Sequence, residues 1–506
     1  MAKESVVLVI GAGPTGLVLA LWLTKLGVRV RIVDKTTEPG TTSRAVAVQA
    51  RTLEFYRQIG LAEAVVDASA CVEAVNLWIG GRRAARIVFG KMGAGISPYP
   101  YALTFAQDEH ERLLIDRLAS LGVHVERATE LVAFEERSGG IRATLRRSGG
   151  GEEVVEAAYI AGCDGAHSAV RTSLGVDFPG GTYTGVFYVA DIQAQGPVAD
   201  GELHVDIEDA DFVAVFPLKG NGRLRLIGPL RGADGARDLT WDDVSRRAIE
   251  HLELDVERVH WFSTYRVHHR VASRFQQGRA FLLGDAAHIH SPVGGQGMNT
   301  GIGDAVNLSW KMAAVLRGEC DERLLATYEP ERIAFARRLV ATTDRMFTII
   351  SKPGRLARVV RTRVVPLVLP PLVRLPGMRR FLFRTVSQTA VNYRESTLSE
   401  GKAGDVHGGD RLPWVPGASG RDNFAALESL DWQAHVYGEA PPGMHAVCDD
   451  LHAPLHVFAW NENAKRGGFA RDAVYLVRPD GYVGFADASA NPVALRKYLE
   501  RVRQPH

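Results

Sequence analysis

The sequence has few cysteines, and their positions exclude two kinds of site. Only four of its 506 residues are cysteine, at positions 71, 163, 320 and 448, and no two of them have CxxC spacing. A disulfide framework and a zinc site are therefore not expected, and no other metal site is indicated. Free thiols of this kind fit a reducing compartment, so we predict a cytoplasmic location.

An excess of one sign of charge is also missing. The chain has 60 Lys and Arg residues against 58 Asp and Glu residues, which leaves a formal net charge of +2. Nucleic-acid-binding domains are usually strongly basic, so no nucleic-acid partner is expected. The hydrophobic fraction of 46% and the charged fraction of 23% are those of a soluble globular protein, and the length favours two or three domains.

Long hydrophobic runs are absent as well. No stretch of 18 or more uncharged apolar residues occurs, so no membrane span is predicted. The chain enters the apolar run VVLVIG within its first residues, with no basic region before it and glycines after it. A secretory signal peptide is therefore not expected.

The first forty residues have the pattern strand, turn, helix, strand. SVVLVIG is typical of a buried parallel strand, PTGLVLALWLTKLG has helical spacing up to Gly27, and VRVRIVD predicts a second strand that ends at Asp34. Helices are predicted around 50–68 and 107–121, followed by successive strands with a hairpin tip at 149–151. Residues 184–275 alternate polar and apolar positions, which predicts a mainly antiparallel sheet.

The turn GAGPTG, residues 11–16, is typical of a dinucleotide site. Gly11 allows a tight turn, Gly13 lets the backbone approach a pyrophosphate, and Gly16 lets the helix pack closely on the strand. The phosphate would lie at the helix N-terminus, and Asp34 would accept a hydrogen bond from a ribose hydroxyl. Lys35 could contact a 2′-phosphate, so the turn alone does not separate NAD(P) from FAD.

A second glycine-rich segment lies far downstream, in GDAAHIHSPVGGQGMNTGIGDAVNLSWKM at 284–312. Asp285 follows a predicted strand, and the loop after it opens a helix whose N-terminus would stabilise a ring that becomes anionic on reduction. A third segment, AGCDGAHSAVRTSLG at 161–175, places Asp164 after another strand. We interpret the two glycine segments as holding opposite ends of one large cofactor.

These three segments resemble those of the class A flavoprotein aromatic hydroxylases, the single-component FAD-dependent monooxygenases of the para-hydroxybenzoate and phenol hydroxylase type. The match covers GxGxxG at 11–16, the DG pair at 164–165 and the GD pair at 284–285, and thus most of residues 1–345. The resemblance implies bound FAD, NADPH or NADH as a transient co-substrate, and dioxygen. It also implies that a phenolic or polycyclic, polyketide-like aromatic substrate is hydroxylated through a flavin C4a-hydroperoxide.

The motifs and the resemblance together assign the cofactor contacts. The candidate residues are Gly11, Gly13, Pro14, Thr15, Gly16, Asp34, Lys35, Arg44, Gln107, Asp164, Asp285, Pro292, Gly295, Gly297, Met298 and Asn299. By resemblance, Arg44 and Gln107 contact the diphosphate and ribityl region, and the loop from Pro292 to Asn299 surrounds the isoalloxazine ring. An acid at position 34 is usually Glu in this family, and Asp is chemically equivalent.

The flavin itself is the expected reactive group, so few catalytic side chains are predicted. Pro292 would shape the reacting face of the ring, and His290 could serve proton transfer, whereas His288 is interpreted as structural. The candidate substrate contacts on the sheet are Phe212, Phe216, Arg223, Arg225 and Tyr265. Alternation along a strand would send only half of such residues toward the substrate.

The predicted fold class is α/β with α+β elements. It consists of a Rossmann-like FAD-binding domain, an inserted mainly antiparallel substrate sheet and a small thioredoxin-like C-terminal domain. The predicted boundaries are 1–73, 103–183 and 271–345 for the first, 74–102 and 184–270 for the second, 346–398 for a helical connector and 399–506 for the last. VRPDGYVGF at 477–485 is similar to the terminal hairpin of larger family members, but without CxxC a structural or interface role is expected.

Some alternatives stay open at this point. The Arg-rich connector could pack on the body of the chain, on a second subunit of a homodimer, or on a membrane surface. A Baeyer–Villiger oxygenase or an epoxidase would share every motif, and a flavin-dependent dehydrogenase or reductase would differ only in adding no oxygen. A flavin halogenase is disfavoured because no WxWxIP segment occurs.

Overall fold

A computed structural model describes residues 6–40, 45–79, 81–88, 92–208, 211–230, 239–291, 293–351, 375–417 and 420–503, with a few positions between 359 and 372. Arg44, Pro292 and most of the Arg-rich segment after residue 351 lie outside the described residues. No helix among the described residues is long and apolar enough to cross a bilayer.

The strands of the described residues fall into five sheets. In chain order they are β1 (Val6–Ile10), β2 (Arg29–Val33), β3 (Ala47–Val48), β4 (Ala70–Val72), β5 (Ala74–Ile79), β6 (Arg82–Val88), β7 (Ala102–Thr104), β8 (Val125–Glu126), β9 (Thr129–Arg137), β10 (Gly140–Arg147), β11 (Glu152–Ala157), β12 (Tyr159–Gly162), β13 (Gly180–Gln195), β14 (Leu203–Glu208), β15 (Asp211–Pro217), β16 (Arg223–Leu230), β17 (Asp255–Val271), β18 (Gln276–Gln277), β19 (Ala280–Leu282), β20 (His288–Ile289), β21 (Glu400–Ala403), β22 (Val406–His407), β23 (Gln433–Tyr437), β24 (Leu455–Phe458), β25 (Val474–Val477) and β26 (Val483–Asp487).

The helices lie between these strands. They are α1 (Pro14–Lys25), α2 (Ala50–Gln58), α3 (Ala62–Ala68), α4 (Gln107–Ser120), α5 (Ala169–Ser173), α6 (Arg246–His251), α7 (Gly297–Leu316), α8 (Tyr328–Ser351), α9 (Pro376–Val386), α10 (Met444–Asp450), α11 (Glu462–Arg466) and α12 (Pro492–Val502).

The sheet that carries the first glycine turn has the strand order β18-β19-β12-β1-β2-β8. β1 is parallel to β2 on one side and to β12 on the other, so the chain order reverses beside β1. The carboxyl ends of β1 and β12 therefore open into the crevice where ligands bind in sheets of this class. The predicted Rossmann-like arrangement is confirmed, and the hairpin of β10 and β11 has its tip at the predicted position.

The main core lies between this sheet and the helices packed on it. α1 is apolar around its whole circumference, and every residue from Leu17 to Leu23 is at most 1% exposed. A helix of that composition must be covered on all sides, here by the sheet and by α7. α1 thus brings the turn at its N-terminus next to the segment that opens α7.

The predicted mainly antiparallel sheet is also confirmed. Its eight strands have the order β20-β17-β13-β16-β15-β14-β5-β6, and only β14 and β5 pair in parallel. Val213 and Val215 on β15 belong to a separate core on one face, while Phe212 and Phe216 point to the other face. β20 pairs with β17 at Ile289 and Arg270, which joins this sheet to the second glycine segment. The exact boundaries of the domains stay a prediction.

The C-terminal part is built on β23 to β26, in the order β26-β25-β23-β24. β23 and β24 are parallel, β25 is antiparallel to β23 and to β26, and β21 extends the sheet beyond β26 in parallel; α10 and α12 follow β23 and β26. This is the strand order of a thioredoxin-like fold. Cys448 is the one cysteine in the sequence between residues 399 and 506, and it is a free thiol.

Candidate active site

The three glycines of the first turn have different surroundings. Gly11 has a φ of +100°, and a Cβ there would lie 2.4 Å from the carbonyl oxygen of Cys163. A Cβ on Gly16 would lie 2.0 Å from the carbonyl oxygen of Gly11, whereas a Cβ on Gly13 would have no atom within 4 Å. Gly11 and Gly16 therefore serve the packing of the chain itself, and Gly13 borders open space that a ligand can enter.

The N-terminus of α1 suits an anion. No side chain caps it, Pro14 at the first position has no N–H to satisfy, and the first turn has no acidic residue. Its free backbone N–H groups and the helix dipole both favour negative charge. Thr15 points elsewhere: its Oγ1 would lie 2.6 Å from a Cβ on Gly284 and 2.3 Å from one on Gly301. Thr15 thus packs the first turn against the second glycine segment.

Asp34 lies directly after β2 and beside the turn. Its carboxylate accepts three hydrogen bonds, from the backbone N–H of Ala12 at 2.7 Å and from the backbone N–H and the hydroxyl of Thr36 at 2.8 and 2.7 Å. Since a carboxylate has about four acceptor positions, it can still accept from a ribose hydroxyl. Lys35 is exposed. No contact of its side chain with a described residue indicates whether the ribose beside it would carry a 2′-phosphate or a free hydroxyl.

The second glycine segment is held in place by a buried acid, Asp304. Gly284, with a φ of +57°, donates its N–H to Asp304 at 3.0 Å. Asp304 also accepts from His288 Nε2 at 2.7 Å and from Arg332 Nε at 2.6 Å. Burial opposes its charge, but the Arg332 cation and His288 outweigh burial and lower the pKa of Asp304. Asp285, the next residue after Gly284, is exposed just beyond the carboxyl end of β19.

The loop before α7 is tied to the segment between β3 and α2. A Cβ on Gly295 would lie 2.5 Å from that of Ala47, so glycine is required there. The buried amide of Asn299 accepts from the N–H of Gln49 and the hydroxyl of Thr52, and it donates to two backbone carbonyls. Asn299 therefore shapes the loop with all its polar capacity used within the chain.

Two further predicted residues complete the start of α7. Gly297 is its first residue, and the helix begins with neither a side-chain cap nor an acid in its first turn. Met298 is half-buried and packs against the core. The start of α7 therefore has the features that favour a negatively charged group, and its contact with a flavin ring stays a prediction.

Asp164 supplies a polar atom that has no partner in the described part of the chain. Its Oδ2 accepts from the N–H groups of Ala169 at 2.7 Å and Val170 at 3.2 Å. Its Oδ1 is buried and accepts no hydrogen bond from the described residues. Burial, only partly offset by these hydrogen bonds, raises the pKa of this carboxyl. An acceptor orphaned beside Gly11 is a position for a ligand hydroxyl, because such groups are otherwise paired.

Gln107 is the first residue of α4. Its Oε1 accepts from the N–H of Ala45, and its Nε2 donates to Glu111 at 2.8 Å. It therefore holds the chain at Ala45, directly after the segment that contains Arg44.

All five predicted substrate residues lie on one face of the eight-stranded sheet. Phe216 is opposite Arg225, and Tyr265 is opposite Phe187, whose strand also pairs with that of Arg225. Phe212 and Tyr265 flank Phe187, each with its ring centre 6.0 Å away. Phe216 packs on Val46 and Ala106, and this contact joins the face to the chain beside the second glycine segment.

Both predicted arginines on this face have protein partners. Arg225 is fully buried and makes a two-point ion pair with Asp191 at 2.6 and 2.8 Å, and its third donor reaches the carbonyl of Ala45 at 2.9 Å. Arg223 donates to Glu109 at 3.0 Å. The face thus combines aromatic rings with cations that are already neutralised.

The residues around the crevice fit FAD. Two uncapped helix N-termini, an open Gly13, the exposed Asp285 and the orphaned Asp164 oxygen match the phosphates, ring and hydroxyls of one such molecule. A sequence profile described as an FAD binding domain matches residues 4–343. The chain belongs to the FAD-dependent aromatic hydroxylases.

Similar proteins extend the match beyond that profile. This hydroxylase is 35% identical to 6-methylpretetramide 4-monooxygenase of Streptomyces rimosus, over 80% of this chain and 73% of that protein. It is 32% identical to pentachlorophenol 4-monooxygenase of Sphingobium chlorophenolicum, over 81% of this chain and 76% of that one. The solved anhydrotetracycline hydroxylase of Streptomyces rimosus has a TM-score of 0.78 and 28% identity, with 99% of both chains covered.

His290 of the hydroxylase has a defined tautomer. Its Nδ1 lies 2.8 Å from the carbonyl oxygen of Ser291, which can only accept, so Nδ1 carries the proton. Its Nε2 is buried without a partner among the described residues, and a Cβ on Gly297 would lie 3.7 Å from it. Burial lowers the pKa of His290 to about 4, and the bond to Ser291 only partly offsets this. His290 is therefore neutral near pH 7, with a free acceptor lone pair beside the start of α7.

The buried neutral state of His290 predicts a loss of stability in acid. The pKa of His290 is about 4 in the folded chain and about 6.5 in the unfolded chain. Between these pH values the unfolded chain binds a proton at this residue and the folded chain does not. Stability should be fully present above pH 6.5 and should fall between pH 6.5 and 4, by up to about 1.4 kcal/mol per pH unit from this residue. The free energy of unfolding, measured with denaturant between pH 6.5 and 4, should therefore depend less steeply on pH in His290→Phe than in the wild type. The difference in slope should be up to about 1.4 kcal/mol per pH unit. An identical slope in both proteins would contradict the assignment.

Sequence reasoning missed the residues that hold the site together. Asp304 lies within the glycine segment itself, and its distance of 16 residues from His288 gives no local signal of their contact. Arg332 is 28 residues from Asp304, and its role depends on how α8 packs against α7. The one usable signal was an acid in a helix whose only other charged residue is Lys311, since buried charges are rare unless paired.

Proposed function

We propose that this hydroxylase inserts one oxygen atom into a neutral phenolic or polycyclic aromatic compound, with NADPH or NADH and dioxygen as co-substrates. The observation that carries the proposal is the sheet face of Phe212, Phe216 and Tyr265, on which the two predicted arginines, Arg223 and Arg225, are both already paired with acids. The names of two relatives, 6-methylpretetramide 4-monooxygenase and pentachlorophenol 4-monooxygenase, support an aromatic substrate that carries no carboxylate.

Bound FAD would supply the redox chemistry, by accepting hydride from NAD(P)H and delivering one oxygen atom of dioxygen to the aromatic ring. The chain would bind its phosphates at the N-terminus of α1 and its hydroxyls at Asp34, Asp164 and Asp285. The N-terminus of α7 would stabilise negative charge on the ring through backbone N–H groups and the helix dipole. The aromatic face would orient the substrate and exclude water. His290 would hold a proton-accepting atom, Nε2, beside the start of α7.

The state of the two arginines favours a neutral substrate over a carboxylate. An aromatic carboxylate buried against this face would need an unpaired cation, because burying an unpaired charge is costly. Arg225 and Arg223 already have Asp191 and Glu109 as partners. A phenol brings no charge that must be matched, so it fits this face without displacing either pair.

Asp191→Asn should change the charge preference of the substrate. The substitution leaves the buried guanidinium of Arg225 without its counter-charge, so a carboxylate on the substrate becomes favourable. We expect the ratio of kcat/KM for a carboxylated phenol to that for its neutral parent to rise about tenfold or more, since charge-assisted bonds are worth about 1.5 to 3 kcal/mol. Glu109→Gln is the matched control, because its partner Arg223 is more exposed. If the two variants shift the ratio equally, Arg225 does not set the charge preference.

The proposed reaction is tested by NAD(P)H consumption across a panel of aromatic compounds, with hydrogen peroxide measured in parallel. Stimulation by a phenol with little peroxide and one labelled oxygen atom from dioxygen in the product is the expected result. Product without labelled oxygen would indicate a dehydrogenase or reductase instead. Oxygen inserted into a carbon–carbon bond or across a double bond would indicate the Baeyer–Villiger or epoxidase alternative.

We also propose a cytoplasmic location, supported by four cysteines that are all free thiols. The homodimer considered for the Arg-rich connector stays a prediction, which sedimentation velocity of the purified chain would test.

A further inference from the structure

The turn between β25 and β26 is buried in the FAD-binding part of the chain. Arg478 and Asp480 of this turn are at most 1% exposed. The carboxylate of Asp480 accepts from Trp310 Nε1 on α7 at 3.1 Å, and its backbone carbonyl accepts from Arg51 on α2 at 2.8 Å. The C-terminal domain thus inserts a charged turn beside the helix that begins at the flavin loop.

Arg478 makes a two-point ion pair with Glu331 on α8, at 2.8 and 3.0 Å. Glu331 also accepts from Lys311 and Asn307 on α7, at 2.8 and 2.6 Å. Glu331 is therefore the point where the C-terminal turn, α7 and α8 meet, and all of these charges are buried.

The next residue on α8 continues the connection to the flavin site. Arg332 donates to Asp304 at 2.6 Å and to the carbonyl of Thr300 at 2.9 Å, near the start of α7. Asp304 in turn holds the N–H of Gly284, directly before Asp285. Arg478, Lys311 and Arg332 balance Asp480, Glu331 and Asp304, so removal of one partner leaves an uncompensated buried charge in this group.

From this continuous buried chain of contacts we propose that Arg478 is a positioning residue for FAD. The C-terminal domain fixes α8 through Glu331, α8 fixes Asp304 through Arg332, and Asp304 sets the position of the Gly284–Asp285 segment. The C-terminal domain, which has no CxxC motif, thereby contributes to the retention of FAD. The inference concerns FAD alone and holds whichever substrate the enzyme uses.

The test compares two ion pairs between the C-terminal domain and the rest of the chain. Arg57 on α2 also makes a two-point bridge, to Asp422 at 2.7 and 2.8 Å, but it has no contact with Glu331 or Asp304 among the described residues. Arg478→Met and Arg57→Met therefore both weaken docking of the domain, and only the first disturbs the connection to the flavin segment. FAD dissociation constants are measured on the full-length apoproteins by flavin fluorescence, and Tm is measured alongside.

We expect Arg478→Met to raise the FAD dissociation constant at least tenfold and Arg57→Met to leave it within about twofold. We also expect an altered visible band shape of the bound flavin in Arg478→Met only. If Arg478→Met does not fold, Arg478→Lys, which keeps the charge and loses the two-point geometry, is judged by the same comparison. Equal dissociation constants for the Arg478 variant and Arg57→Met would overturn the proposal, whatever the two Tm values are.

Discussion

Replacing Gly13 by valine should abolish FAD binding and leave the folded chain intact. The backbone at Gly13 is extended, with φ −77° and ψ 180°, and a Cβ there meets no atom within 4 Å. Valine is therefore tolerated by the apoprotein, apart from roughly 1 kcal/mol for a poorer helix cap. Its methyl groups would fill the space through which the diphosphate reaches the N–H groups of α1. Loss of two charge-assisted hydrogen bonds between the diphosphate and these N–H groups would raise the FAD dissociation constant at least about a hundredfold.

Gly16→Val is the matched control for this prediction. A Cβ on Gly16 would lie 2.0 Å from the carbonyl oxygen of Gly11, so the side chain clashes with the chain itself. This variant should lose Tm and secondary structure, whereas Gly13→Val should keep both and fail only in FAD titration. If Gly13→Val binds FAD normally, the diphosphate does not lie at this turn.

Asp285→Ala should purify with little bound yellow flavin. Asp285 is exposed just beyond β19, and the hydrogen bond from Gly284 to Asp304 holds the backbone directly before it. Removing a charged acceptor of ligand hydroxyls costs about 1.5 to 3 kcal/mol, which is about 10- to 100-fold in affinity. The FAD content of the purified protein and the dissociation constant of the apoprotein measure this directly.

Asp285→Asn separates charge from hydrogen bonding at this position. Asparagine keeps one acceptor oxygen of similar shape, so its FAD affinity should fall between that of the wild type and that of Asp285→Ala. Full flavin occupancy in Asp285→Ala would refute the placement of this residue at the cofactor.

Local sequence patterns were sufficient where neighbouring residues decide the structure. The apolar run before Gly11, the helical spacing after Pro14 and the alternation over 184–275 predicted the first strand, α1 and the antiparallel sheet. Each of these signals lies within one element, so no knowledge of packing was needed. Alternation did not tell which face of the sheet borders the flavin segments, because that depends on the contact of Phe216 with Val46.

The residues that hold the site in place could not be predicted, because their partners lie far away in the sequence. Glu331 and Arg478 are 147 residues apart, and nothing near either residue indicates the other. The role of Asp304 likewise depends on α8 packing beside α7. Buried ion pairs of this kind can be expected in general, but their partners are set only by the assembled fold.

The account depends on the two glycine segments holding one molecule of FAD. Spectrophotometric titration of the purified apoprotein with FAD tests this most directly. We predict saturation at one FAD per chain for the wild type, with that uptake abolished by Gly13→Val and strongly weakened by Asp285→Ala. A wild-type chain that stays colourless at every FAD concentration would contradict the account. Binding of FAD by both variants with the affinity of the wild type would also contradict it.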